Sequence, residues 1–375
     1  MNQRVDAMYT DEDFLRMAFS LARRGEGETS PNPIVGALVV KDGKVIGKGF
    51  HRKAGEKHAE IAALEQAGGA AKDATLYLNL EPCCHYGKTP PCCARIIEAG
   101  IKRVVCSMRD PNPLVNGKGI ENLRASGIAM KEGILEEEAR RLNEAFVKVM
   151  TSGKPFVIAK AAMSVDGKIA AANGESQWIS SPESRKYIHN RIRYCVDAII
   201  AGINTVLLDD PLLTVRGTLN RKRKIVRVIL DSLLRTPPNS KVLSSAEEGE
   251  VWIYTTAEGN GESKKKLEGA GARVITVAAE HGRCSTKGVF DDLGRRGIAS
   301  VLIEGGSQIL ASAFREKLVD KVYFFIAPSI MGGGGSISSI GELGMRSLSQ
   351  AIKFSRYEAI PVDRDIMYRA YPRYG

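Results

Sequence analysis

The chain has 375 residues, and at about 150 residues per domain that length predicts two compact domains rather than one core. Hydrophobic residues make up 43% and charged residues 26% of the chain, which excludes collagenous, low-complexity and disordered classes. The net charge of +11 divides into +2 for residues 1–150 and +9 for residues 151–375. With two Trp residues and no aromatic-basic interleaving, that excess does not read as a nucleic-acid face.

Thr10 and Asp13 form a variant capping box, and Phe14, Leu15, Ala18, Leu21 and Ala22 then follow a helical period to about Arg24. IVGALVV and VIGKGF flank Asp42-Gly43, a strong hairpin signal. Residues 58–67 read as a helix, 74–80 as a strand, 92–99 as a helix and 103–107 as a strand, an alternation that predicts a layered α/β domain. A charged helix near 135–149 ends at Thr151-Ser152-Gly153-Lys154-Pro155, which places one domain at 1–150 and the other at 154–375. The second half restarts with the strand FVIAKAAM and turns at Ser164-Val165-Asp166-Gly167. It continues through a helix over 182–194 and strands over 197–201, 225–230 and 251–255. VLIEGG is a buried strand running into the helix SQILASAFRE, and DKVYFFIAP is a further buried strand. Residues 257–272 and 332–340 read as loops, and Arg221-Lys222-Arg223-Lys224 as a solvated connection.

No apolar run approaches the roughly 18 residues that span a bilayer, and MNQRVDAMYTDEDF lacks a signal-peptide core. A cytoplasmic protein is expected. In such a reducing compartment the seven cysteines read as ligands, nucleophiles or buried side chains rather than disulfides.

Four of those cysteines crowd into Cys83–Cys93. His58-Ala59-Glu60 opens a helix, Glu81-Pro82-Cys83 follows a strand, and Pro90-Pro91-Cys92 opens the next helix nine residues after Cys83. Zinc favours imidazole and thiolate, and three protein ligands leave the fourth tetrahedral position for water; a purely structural site wants four. Glu60, two residues from His58, is a candidate proton carrier rather than a ligand. H-x-E followed by P-C is the signature of zinc-dependent nucleobase deaminases. The usual P-C-x-x-C spacing is absent, because position 86 is Tyr and the chain carries PCCHYGKTPPC instead. Adjacent residues point in different directions, so only one of Cys83 and Cys84, and one of Cys92 and Cys93, should reach a metal.

SPNPIVGALVV, GFHRKAGEKHAE, NLEPCCHYGKTPPC and RDPNPLVNGKG, most of residues 25–120, resemble the pyrimidine deaminase domain of the bifunctional RibD family of riboflavin biosynthesis. In that family the longer cysteine loop is the usual form. The resemblance implies a cytidine-deaminase-like three-layer α/β domain with one zinc per chain on His58, Cys83 and Cys92, and buried roles for Cys84 and Cys93. It also implies a substrate pocket lined by Asn32, His51, His85, Lys88, Asp110 and Asn112, with Lys88 suited to the ribose phosphate.

In the second half, KAAMSVDGKIA, GESQWISSPESR, DAIIAGINTVLLDDPLLTVR, VILDS and IEGGSQILASAF are similar to the reductase domain of the same family. This implies a dihydrofolate-reductase-like fold and NADPH. Neither a G-x-G-x-x-G after a strand nor a Walker loop is present, but a glycine turn opening a helix suits a pyrophosphate. Carried over position by position, Ala162, Trp178, Thr205, Asp209, Ser232, Gly306, Ser307 and Gln308 would contact the dinucleotide. Ser176, Arg193, Leu213, Arg216 and Glu304 would contact substrate. The chain carries one extra residue in 185–193 relative to the family pattern, so Arg191 and Arg193 both stand as candidates for that contact. Lys160 is a candidate for proton transfer or for an ion pair.

The implied activity is zinc-dependent hydrolytic deamination of 2,5-diamino-6-(ribosylamino)pyrimidinone phosphate, then NADPH-dependent reduction of its ribosyl chain to ribityl. Two other readings compete. A nucleoside or tRNA deaminase with an appended nucleic-acid-binding half would suit the basic charge but not VLIEGG or the missing stacking aromatics; a zinc-stabilised binding module would need a fourth protein ligand. The expected partner is a small phosphorylated pyrimidine, with neither nucleic acid nor membrane, and the chain is expected to form a homo-oligomer.

Overall fold

In the computed structural model, which describes residues 9–84, 91–219 and 221–375, the expected capping box is formed. Thr10 accepts the Asp13 N–H and the Asp13 carboxylate accepts the Thr10 N–H at the start of α1 (Asp11–Ala22). Phe14, Leu15, Ala18 and Ala22 turn its apolar stripe into the core. The hairpin of β1 (Gly36–Lys41) and β2 (Lys44–Phe50) turns at Asp42 and Gly43 with φ of 48° and 72°. Positive φ at both residues is the turn whose twist matches the strands.

There follow α2 (Ala59–Ala67), β3 (Thr75–Leu80), α3 (Cys92–Glu98), β4 (Arg103–Met108), α4 (Lys118–Ala125), β5 (Ala129–Glu132), α5 (Glu136–Leu142) and α6 (Glu144–Ser152). The sheet order is β2-β1-β3-β4-β5, with β1 antiparallel to both neighbours and β3, β4 and β5 parallel. Gly49 on β2 is where α2 closes onto the sheet, since a Cβ there would lie 2.1 Å from the Ala59 carbonyl. That approach fixes the start of α2, which carries His58 and Glu60.

The charged helix expected over 135–149 is divided. Asn143, 3% exposed, takes its side chain out of the helix to accept the Ile34 N–H and donate to the Ile34 carbonyl, a local competition that breaks helices. Thr151 and Ser152, read as linker, instead end α6, and Gly153 at φ 67° closes it. The chain divides into two compact units, Met1–Gly153 and Lys154–Gly375.

The second unit contains β6 (Phe156–Ser164), β7 (Lys168–Ala170), α7 (Pro182–Tyr187), β8 (Ala198–Gly202), α8 (Ile203–Asp209), β9 (Val226–Leu230), α9 (Lys241–Ser244) and β10 (Val251–Thr255). Next come α10 (Gly261–Gly269), β11 (Ala272–Thr276), the short β12 (Ala279–Glu280) and β13 (Arg283–Cys284), and α11 (Thr286–Arg295). The unit ends with β14 (Ser300–Glu304), α12 (Ser307–Arg315), β15 (Lys321–Ala327), β16 (Ile337–Ser338), β17 (Lys353–Val362) and β18 (Asp365–Arg373).

Nine strands form one sheet in the order β11-β10-β9-β8-β14-β6-β15-β18-β17, parallel from β11 to β15 and finished by an antiparallel hairpin. Val301, Leu302 and Ile303 of the central β14 are fully buried, as continuous apolar strands of a parallel sheet are. The β14–β6 register sets Glu304 opposite Lys160.

Three expectations change. The helix read over 182–194 is regular only to Tyr187 and continues as a π turn, Ile188–Ile192, and a short 3-10 turn, Arg193–Cys195. The loop read over 257–272 contains α10, capped by Asn260 and bordered by the glycines that disguised it. Arg221 and Arg223 are not merely solvated: Arg221 donates to the Arg193 and Val196 carbonyls and Arg223 pairs with Asp197. No helix among the described residues is long and apolar enough to cross a membrane.

Candidate active site

His58 precedes the first turn of α2 with extended backbone, Cys83 lies just beyond β3, and Cys92 is the first residue of α3. Their Nδ1 and Sγ atoms converge: His58 lies 3.2 Å from the Cys92 sulfur and 3.6 Å from the Cys83 sulfur, and the possible ligand atoms of all three fall within 4.8 Å of one another. The Cys92 N–H also points to the Cys83 sulfur at 3.4 Å. Hydrogen bonds from the Cys92 thiol and the His58 imidazole hold the Cys83 thiol below the usual thiol range, which favours the thiolate that a metal needs. One imidazole and two sulfurs at this spacing fit a tetrahedral zinc with a position left for water.

Glu60 is 4% exposed, and burial together with the Cys83 thiolate pushes its carboxyl above the usual carboxylate range. The neighbouring cysteines separate cleanly. Cys93 is buried with its thiol toward the Pro82 and Gly119 carbonyls, while Cys84 is half-buried and joins no ligand cluster among the described residues.

Asn32 and His51 lie beside the cluster. The His51 ring sits edge-on to His58 at 5.5 Å, its Nε2 faces the Asn32 amide at 3.1 Å, and its Nδ1 faces the Lys57 carbonyl at 3.1 Å. A carbonyl accepts only from an N–H, so the ring is the Nδ1–H tautomer, and burial holds its pKa below the usual value. Burial likewise pushes Asp110 up to about 6, although its carboxylate accepts the Asn112 N–H at 2.8 Å. His85 and Lys88 lie outside the described residues.

Sequence reasoning missed Glu81. Its carboxylate, 2% exposed, accepts the backbone N–H groups of Asp110, Gly117, Gly119 and Ile120 at 2.9–3.2 Å. One side chain two residues before Cys83 thus pins the loop that carries Asp110 and Asn112. The pattern Glu-Pro-Cys was visible, but its partners were not.

In the second unit Glu304, the last residue of β14, joins two cations: Lys160 Nζ of β6 at 3.1 Å and Arg193 Nε of the short 3-10 turn at 2.7 Å. Burial alone would raise its carboxyl, but these two charges outweigh it and hold the group well below the usual range. Arg193 also donates to the Thr214 carbonyl, whereas Arg191 is exposed. The π turn Ile188–Ile192 leads into Arg193, which joins the cluster. Arg216 is exposed on the following loop, and Leu213, at φ 52°, has a buried side chain and presents backbone.

Ser176 donates to Asp209 at 2.9 Å, joining one substrate candidate to one cofactor candidate. Gly305 and Gly306, at φ 94° and 90°, open α12, and Gly306 offers no capping side chain to its first N–H groups. Thr205 stands against this turn, 3.0 Å from where a Gly305 Cβ would be. Such a bare, positively polarised helix start, carrying Ser307 and Gln308, suits a dinucleotide phosphate. Ala162 is half-buried on β6, Ser232 accepts the Cys284 N–H at 2.9 Å, and Trp178 is 68% exposed with Arg185 4.4 Å over its ring.

The two sites match two known domains. Residues 8–108 match the cytidine and deoxycytidylate deaminase zinc-binding region, and residues 155–366 match the RibD C-terminal domain. The riboflavin biosynthesis protein RibD of Aquifex aeolicus is 44% identical over 95% of this chain and 97% of its own length. The Escherichia coli protein of the same name is 37% identical over 95% and 98%. The chain belongs to the RibD family.

Solved structures agree. Acinetobacter baumannii RibD superposes with a TM-score of 0.86 at 35% identity, covering 97% of this chain and 99% of that one. A diaminohydroxyphosphoribosylaminopyrimidine deaminase/5-amino-6-(5-phosphoribosylamino)uracil reductase of Thermotoga maritima gives 0.83 at 36%, with the same coverages. As a RibD, the protein is a bifunctional enzyme of riboflavin biosynthesis, with a zinc-binding deaminase domain and an NADPH-dependent reductase domain. The three-layer α/β deaminase fold and the dihydrofolate-reductase-like reductase fold expected from the sequence are those of the family.

Proposed function

We propose that His58, Cys83 and Cys92 hold the zinc and that Glu60 carries the proton of the deamination. Zinc on these ligands supplies a Lewis acid that lowers the pKa of water toward neutrality. Glu60 takes the proton of the attacking water and returns it to the departing amine, so that ammonia leaves the diaminopyrimidine ring. Asn32, His51, Asp110 and Asn112 orient that ring and its ribose phosphate, together with His85 and Lys88. The convergence of the three ligands beside a buried carboxylate carries this reading.

In the reductase unit Ala162, Trp178, Thr205, Asp209, Ser232 and Gly306 to Gln308 would hold NADPH, which would supply a hydride when bound. Ser176, Arg193, Leu213, Arg216 and Glu304 hold the uracil phosphate. As the ribose C1′–O4′ bond breaks, Lys160 gives its proton to O4′ and the exocyclic nitrogen forms a double bond to C1′. A hydride received at C1′ would then leave the ribityl amine. The seven free cysteines support a reducing, cytoplasmic setting, and the exposed β17 edge with Tyr357 supports assembly from identical chains.

Glu60→Gln tests the first half. Zinc should stay bound, ammonia release should fall by about 10⁴, at the upper end of the range for general acid–base catalysis, and NADPH oxidation with the already deaminated intermediate should stay near normal. Retained ammonia release with intact zinc would remove Glu60 from the chemistry.

A further inference from the structure

The π turn Ile188–Ile192 holds the loop that presents Arg216. His189 Nδ1 accepts the Arg216 N–H at 3.0 Å, and Asn190 Oδ1 accepts the Thr218 N–H at 2.7 Å. Gly217, between them, admits no side chain, because a Cβ would lie 2.1 Å from Asn190 Oδ1. Arg193 donates to the Thr214 carbonyl at 2.6 Å, and Arg221 returns a bond to the Arg193 carbonyl at 3.1 Å. One stretch of chain, His189 to Arg193, thus ties Thr214, Arg216, Thr218 and Arg221 down by four hydrogen bonds, and π insertions recur at functional sites.

We propose that His189 is a positioning residue of the reductase: by accepting the Arg216 N–H it holds the 214–218 loop in the shape in which Arg216 meets the phosphorylated substrate. This rests on the reading that Arg193 and Arg216 contact that substrate. The charged groups around the ring are Arg193, Arg216, Lys160 and Glu304, an excess of cations. Burial and the Arg193 charge hold the imidazole down to about 4, so at neutral pH Nδ1 is an acceptor and the ring proton sits on Nε2. The two nitrogens therefore have separable roles.

The test uses the full chain with NADPH and the deaminated uracil phosphate. His189→Ala should raise KM about tenfold with kcat within about twofold, the effect of losing one hydrogen bond that only shapes the binding loop. His189→Asn, whose carbonyl oxygen falls near the place of Nδ1, should restore KM, whereas His189→Gln, whose amide falls near Nε2, should resemble Ala. Ammonia release should be unchanged in all three. Gly217→Ala, which forces the loop off Asn190, should raise KM in the same way and stands in if His189→Ala folds poorly. Rescue by Gln and not by Asn, or a fall in kcat at constant KM, would overturn the positioning role in favour of direct contact through Nε2. Arg216→Ala is run beside them: an unchanged KM there removes the premise about the pocket, while a raised KM there with a normal KM in His189→Ala defeats the clamp alone.

Discussion

Replacing Glu81 by Gln is the sharpest test of how the deaminase pocket is held. Oε2 accepts the Asp110 and Gly117 N–H groups and Oε1 accepts those of Gly119 and Ile120, all in a site 2% exposed. Whichever way an amide is turned, its NH₂ faces two of these four donors, which lose their acceptor without gaining water. Hydrogen bonds to a charged group contribute about 1.5–3 kcal/mol each, so two lost bonds set a gross cost of about 3–6 kcal/mol, and backbone adjustment brings the expected loss to about 3 kcal/mol. For a unit of 153 residues this lowers Tm by roughly 6–12 °C. Because the released segment carries Asp110 and Asn112, the deaminase KM should rise as well, while zinc stays at one per chain. Calorimetry of the full chain, zinc analysis and ammonia release read the three effects. A shift of less than about 2 °C with an unchanged KM would show that the four bonds contribute no more than solvent would, contrary to the cost of orphaned buried donors.

The remaining predictions concern charge and metal. Cys83→Ser should lose the zinc and Cys84→Ser should keep it, as metal analysis would show; the reverse would reassign the ligand. Glu304, whose carboxyl is held below its unfolded value, contributes stability that is fully present above the unfolded value of about 4.3 and is lost as pH falls through the lower folded value. Glu304→Gln leaves Lys160 and Arg193 without their counter-charge. It should therefore destabilise the reductase unit by about 3 kcal/mol at pH 7, read as a lower Tm of the transition that NADPH raises, and should flatten the loss of stability below pH 4; equal acid sensitivity in both proteins would exclude Glu304 as its source.

What was legible in the sequence was local chemistry. Asp42-Gly43 announces its turn because positive φ is needed at both positions, and Thr10 with Asp13 announces its cap across three residues. The proposed zinc ligands stand out for another reason: His58, Cys83 and Cys92 are chemically distinctive, each lies at or just beyond the start or end of a recognisable element, and the fold brings their ligand atoms together. Glu81 does not stand out, because its four partners lie 29 to 39 residues downstream and are backbone groups without any side-chain signature. Asn143 breaks its helix for Ile34, 109 residues away. The π turn lies inside a stretch that reads as one helix over 182–194, so the pattern alone did not separate it.

Residue type alone does not assign Glu60, Glu81 and Glu304, and their surroundings do. Glu60 is buried beside Cys83, and burial together with that neighbour raises its carboxyl above the usual carboxylate range, which suits the proposed proton transfer. Glu304 sits between Lys160 and Arg193, so it stays ionised and serves as a fixed anion for two cations. Glu81 is enclosed by four backbone donors, so it binds chain rather than substrate. A deaminase carboxyl that must carry a proton is poorly served by neighbouring cations, whereas a reductase pocket for a phosphate ester needs a surplus of them. In the second unit Lys160 and Arg193 pair with the single carboxylate of Glu304, with Arg216 near them on an exposed loop, and we read that local surplus of cations as the part of the basic charge that serves the proposed phosphate-ester pocket.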